Sequence, residues 1–186
     1  MTSALIVASV LAVHLSPPPI KLSQKDQAWA VGEFINRRSQ VVNELLKTAA
    51  AMIDKPGRRG YAAVAIRKLA VLRASEATNF LVEHLTFGGL DELVGVEGPT
   101  GLDETWPCVH ALARIGLPAF PALLAKVEST DAEITQLAAA YVFYRAMGRE
   151  HALLYLSHKA SQQTDRKKKK RLESLIEFVK TAKDVP

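Results

Sequence analysis

Apolar residues along this chain recur at helical spacing, in blocks separated by turn residues. From Gln24 to about Ile53, the residues Trp29, Val31, Phe34, Ile35, Val42, Leu45, Leu46, Ala49 and Ile53 return every three or four positions. This predicts one long amphipathic helix. Pro56-Gly57-Arg58-Arg59-Gly60 ends it, because proline cannot continue a helix interior and glycine supplies the backbone freedom of a turn.

Three later segments overlay on one another. Ala65, Ile66, Leu69, Ala70 and Leu72 form a stripe that breaks at Arg73-Ala74-Ser75-Glu76 and resumes at Ala77, Leu81 and Leu85. Cys108, Val109, Leu112, Ala113 and Ile115 precede Gly116-Leu117-Pro118, after which come Ala119, Leu123 and Val127. Tyr141, Tyr144 and Gly148 are followed by Ala152, Leu156 and Lys159. The common unit is helix, tight turn, helix. Gly116 and Gly148 stand where a helix would end in a left-handed residue, and Pro118 stands in the first turn of the next helix. Pro107 can open the helix carrying Cys108, and Thr130-x-x-Glu133 has the capping-box pattern. Leu172, Leu175, Ile176 and Val179 predict a last helix with one buried face.

A single hairpin of this kind has too little apolar surface to bury alone, so neighbours must stack. Residues 60–160 resemble HEAT-like helical repeats. The resemblance rests on Ala65-Ile66-Arg67-Lys68-Leu69-Ala70-Val71-Leu72 with Ser75-Glu76-Ala77, and on Ala111-Leu112-Ala113-Arg114-Ile115-Gly116 with Pro118-Ala119. It implies an α-solenoid; with the helices read from spacing, the expected fold is all-α, a short α-solenoid of about three hairpins preceded by one long helix and closed by a C-terminal helix. It also implies use mainly in protein–protein binding or scaffolding; some HEAT-like proteins act as chromophore lyases or base-excision enzymes, but no motif here places the chain with them. The repeats here are few and unequal in length.

Composition agrees with a helical fold: Ala and Leu supply 50 of 186 residues, and aromatics only 6%. Charge narrows the functional classes further. The net charge of +5 is smaller than the +6 of Arg166, Lys167, Lys168, Lys169, Lys170 and Arg171, so the rest of the chain carries −1. Only this one run is expected to be basic, and a global field for nucleic acid is not supported. The run opens the last helix, where cations meet the helix dipole unfavourably, and no aromatic or base-reading partner lies nearby. A solvated helix end is the expectation, and nucleic-acid or anionic-surface binding the alternative.

Between Thr86 and Pro107 the periodicity vanishes. This loop holds half of the glycines and the acids Asp91, Glu92, Glu97, Asp103 and Glu104, with no Lys or Arg. A solvated acidic loop is the expectation and partner binding the alternative, since function gathers on loops of rigid scaffolds; the alternate-position pattern of a calcium loop is absent. Residues 1–22 form a separate segment. The apolar run Ala4–Leu15 ends at Pro17-Pro18-Pro19, too short to span a bilayer and of the length of a signal-peptide core, without preceding cations. An exported protein is expected if this leader is a signal peptide, a cytoplasmic one otherwise. Residues 23–186 form the repeat domain.

Nothing in the motifs argues for catalysis, a metal or a cofactor. The one cysteine, Cys108, lies on an apolar stripe and reads as a small buried hydrophobe. His14, His84, His110, His151 and His158 have no metal-ligand spacing. No nucleophile elbow, phosphate loop or dinucleotide fingerprint occurs.

Overall fold

The computed structural model describes residues 23–88 and 106–182, and among these it is helical with no strand. The α-helices are α1 (Gln24–Met52), α2 (Arg59–Val71), α3 (Thr78–Glu83), α4 (Pro107–Ile115), α5 (Phe120–Ser129), α6 (Glu133–Met147), α7 (Arg149–Gln162) and α8 (Arg166–Thr181). Short 3-10 turns at Ser75–Ala77 and Leu117–Ala119 lead into α3 and α5. The chain divides into two compact units, Met1–Arg38 and Ser39–Pro186.

The first unit contains the N-terminal half of α1. The predicted stripe is present there but is not buried. Trp29 is 70% exposed and Phe34 67%, and Val31 and Ile35 are exposed as well. Periodicity fixed the helix without fixing a partner for its face. Arg37 Nε bonds Glu33 Oε1 at 2.8 Å on the surface of this half.

The second unit holds the core. From α1 it takes Val42 and Ala49, and just after that helix Ile53, while Leu45 and Leu46 pack at its edge. Helix α2 packs on α4, α4 on α6, and α6 on α8; beside them α3 packs on α4 and α5, and α8 also on α5 and α7. Each contact is a line of aliphatic side chains at helical spacing: Ala62, Ala65, Ile66 and Leu69 in α2, Cys108, Val109 and Leu112 in α4, Leu172, Leu175 and Val179 in α8. Burying each larger aliphatic chain is worth about 1.5–3 kcal/mol. Phe120, Phe143 and Tyr155 add an aromatic triangle with centroids 4.7, 5.5 and 5.9 Å apart, linking α5, α6 and α7.

The turns explain the breaks. Between Pro107–Ile115 and Leu117–Ser129 the chain bends by 111° at Gly116. Gly116 (φ 74°, ψ −138°) and Gly148 (φ 79°, ψ 165°) have positive φ but extended ψ rather than the left-handed helical conformation expected at these ends. This region is tolerated almost only by glycine. Helix α2 instead ends on a non-glycine: Arg73 has φ 46°, and the Arg73 and Ala74 N–H groups donate to the Ala70 and Leu69 carbonyls. That is the paired closure in which glycine is the usual residue.

The capping box does not form. Helix α6 starts at Glu133, so Glu133 is its first residue and not its third, and Ala132 occupies the cap position without a side-chain bond. Thr130 Oγ1 accepts from the Ala132 N–H at 3.1 Å, a local turn. No single helix among the described residues is long and apolar enough to cross a membrane.

Candidate functional surfaces

The basic run Arg166–Arg171 opens α8, and three devices set it in place. Asp165 Oδ1 accepts the Lys167 and Lys168 N–H groups at 2.8 and 3.0 Å, capping the helix and placing a carboxylate where the dipole favours one. These bonds hold the Asp165 carboxyl below the ordinary 3.8. Arg171 makes a two-pronged bond with Asp131, Nε to Oδ1 at 2.7 Å and Nη2 to Oδ2 at 2.8 Å, and its Nη1 donates to the Glu128 carbonyl. Lys167 Nζ lies 3.4 Å from Asp131 Oδ2 and Lys168 Nζ 3.5 Å from Glu128 Oε2.

The run is therefore a clasp between the start of α8 and the turn joining α5 to α6. The side chain of Arg171 is only 12% exposed, which corrects the expectation that the whole run is a solvated helix end. Its guanidinium, bonded to Asp131 and near Lys167, holds the Asp131 carboxyl down to about 2. Gln163 Nε2 adds a bond to Glu128 Oε1 at 3.0 Å. Arg166, Lys169 and Lys170 remain exposed, with no ion pair among the described residues. They line a shallow surface depression with Lys167 and Glu173. The clasp was not legible because Asp131 lies 40 positions from Arg171 in the chain; the Asp165 cap, directly before the helix, was not read from the sequence although its position carries the signal.

The candidate partner loop, with Asp91, Glu92, Glu97, Asp103 and Glu104, lies outside the described residues, as does the leader 1–22. Trp106, at the cap position of α4, is buried, stacks edge-on against Tyr141 at 5.9 Å, and its Nε1–H has no partner among the described residues.

Cys108 is fully buried in α4, and burial pushes its thiol up to about 12, so almost no thiolate exists at neutral pH. His110 is half-buried, and burial together with Arg114 and Arg67 lowers its pKa. Among the described residues, no three His, Cys, Asp or Glu side chains gather as a metal-binding group.

A second basic surface was missed by the sequence analysis. Residues 55–73 contain Lys55, Arg58, Arg59, Arg67, Lys68 and Arg73 and no acid. All six are exposed. No ion pair reaches Lys55, Arg58, Arg67, Lys68 or Arg73 among the described residues, although Arg67 acts on His110 through its charge. Summing charge over the chain hid this surface, because the acids of the 86–107 loop cancel it. A local count would have found it. Helix α2 also has two apolar faces: Ala62, Ala65, Ile66, Leu69 and Ala70 are buried, while Tyr61, Val64 and Val71 stand opposite, 67%, 47% and 69% exposed.

Comparison of the chain with protein-family models, with curated proteins and with solved structures found no match.

Proposed function

We propose that the chain is a non-catalytic protein-binding or scaffolding module, built as a short HEAT-like α-solenoid. Its hairpins are α2 with α3, α4 with α5, and α6 with α7, and α8 closes the array. The observation that supports this reading is the succession of contacts in which α2, α4, α6 and α8 each pack on the next around one continuous apolar core. Such stacking makes a rigid frame on which exposed side chains keep fixed positions, and a partner is held by a few anchors on that frame.

The alternative, binding of nucleic acid or an anionic surface through Arg166–Arg171, is left with Arg166, Lys169 and Lys170. The other three cations already face Asp131 and Glu128. Counterion release scales with the number of phosphates neutralised, so halving the free charge weakens this reading steeply.

Cross-linking mass spectrometry on the endogenous full-length protein tests the proposal. Cross-links from its exposed lysines to one recurring protein are expected. Association with nucleic acid alone, or no association at all, would overturn it.

A further inference from the structure

We propose that the outer face of α2 is a docking site for an acidic amphipathic helix of a partner protein. The inference rests on the protein-binding reading above and assigns that reading a surface and a ligand chemistry.

Tyr61, Val64, Lys68 and Val71 follow one another at three- and four-residue spacing, so they form one stripe on the side of α2 opposite its buried residues. Single exposed valines are ordinary on a protein surface. A stripe of three apolar side chains on one short helix, rimmed by charge, is the arrangement of an interaction surface. Cations outnumber acids around it: Lys68 lies within the stripe, Arg67 beside it, Lys55 and Arg58 before the start of α2 and Arg73 after its end, with the exposed acids Asp54 and Glu76 just outside that stretch.

These cations are also available. On α8 the lysines and arginines of the clasp are turned onto carboxylates, whereas Lys55, Arg58, Arg67, Lys68 and Arg73 have no ion pair among the described residues. Arg73 adds an independent observation. It holds a left-handed conformation at the helix end where glycine would be unstrained, so a cation is kept there at a conformational cost.

An occupant must bury the apolar stripe and neutralise the rim together. An amphipathic helix with Leu or Ile on one face and Glu or Asp along its flanks does both, and helices commonly dock in this way through anchors at i, i+3, i+4 and i+7. A nucleic-acid backbone would satisfy the cations but desolvate Val64 and Val71 against phosphate. An anionic bilayer would satisfy the charges, but interfacial helices insert large apolar side chains, and this face offers two valines and one tyrosine.

The test is fluorescence anisotropy with the full chain and a labelled 16-residue helical peptide of Leu, Ala and Glu whose leucines lie on one face. A scrambled peptide of the same composition, a peptide with Lys in place of Glu, a DNA duplex and phosphatidylglycerol vesicles serve as competitors. Saturable binding of the acidic amphipathic peptide is expected, with Kd in the micromolar range, weakening with salt. Val64→Gln and Lys68→Glu should each weaken it roughly tenfold, while Lys169→Glu leaves it unchanged. All three positions are exposed, so the fold should survive, and far-UV circular dichroism checks that it does. Absence of binding, equal binding of the scrambled peptide, displacement by duplex or vesicles at lower concentration, or insensitivity to Lys68→Glu would each overturn the assignment. If the peptide fails while cross-links to a protein partner map to other helices, the docking site falls and the protein-binding reading stands.

Discussion

Six cations lie within or next to α2 and six form the run that opens α8, yet the two sets differ in what faces them. At α8, Asp165 caps the helix, Asp131 takes Arg171 in a two-pronged bond, and Glu128 approaches Lys168. At α2, no ion pair among the described residues reaches Lys55, Arg58, Arg67, Lys68 or Arg73. The dense run, conspicuous in sequence, is half spent on holding the fold. The dispersed set, invisible in a charge sum, borders an exposed apolar stripe. Formal charge therefore says little about binding until the acids that a fold brings near each cation are known.

The largest perturbation asks whether the two regions share one core. Phe143 is fully buried between Phe120 and Tyr155, and Phe143→Ala should cost about 3–5 kcal/mol. Urea unfolding followed by probes on α2 and on α8 should report one common midpoint, lowered equally. Two separated midpoints would make the regions independent.

Gly148→Ala acts nearer to α8. At φ 79° and ψ 165° a side chain is strained whatever the space around it, so a loss of about 1–3 kcal/mol is expected. Hydrogen exchange should quicken more in α6, α7 and α8 than in α2. Equal quickening in α2 would show that strain spreads evenly.

A smaller change comes at the end of α2. Arg73→Gly should stabilise the protein by up to about 1 kcal/mol by relieving the left-handed conformation, while weakening the acidic peptide. A melting temperature that falls would mean that the cation's interaction with the helix end outweighs the strain.

The subtlest test titrates the clasp. The Asp131 carboxyl is held at about 2 against an ordinary 3.8 by the Arg171 hydrogen bonds. A carboxyl with a depressed folded pKa stabilises fully above its unfolded value and loses that contribution as pH falls through its folded one. Stability should thus decline from about pH 4 towards pH 2, and Asp131→Asn should flatten that decline while leaving binding at α2 unchanged. Urea midpoints at pH 5, 3 and 2 measure it. An unaltered slope in the variant would show that the clasp contributes nothing.

What the sequence revealed follows the range of the interactions. Helix spacing, the Pro56-Gly57 break, the Gly116-Leu117-Pro118 turn and the buried stripe of α8 depend on residues a few positions apart, and all of these were readable. The glycine conformations were placed correctly but given the wrong ψ, because that angle depends on how the next helix leaves the turn. The capping box failed by a shift of register, with Glu133 first in its helix. In α1, the same periodicity that buries Val42 and Ala49 leaves Phe34 exposed, since a pattern specifies a face and not its neighbour. Candidate surfaces were harder to read. Glu128 and Asp131 come to α8 through tertiary packing, and only the fold distinguishes a cation in a clasp from one left free.

The most direct measurement is the acetylation rate of each lysine by mass spectrometry, with and without the acidic amphipathic peptide. Without peptide, Lys68 should react faster than Lys167 and Lys168. With peptide, Lys55 and Lys68 should be protected while Lys167 to Lys170 keep their rates. Protection at Lys167 to Lys170 with Lys68 unchanged would contradict the account and return the binding surface to α8.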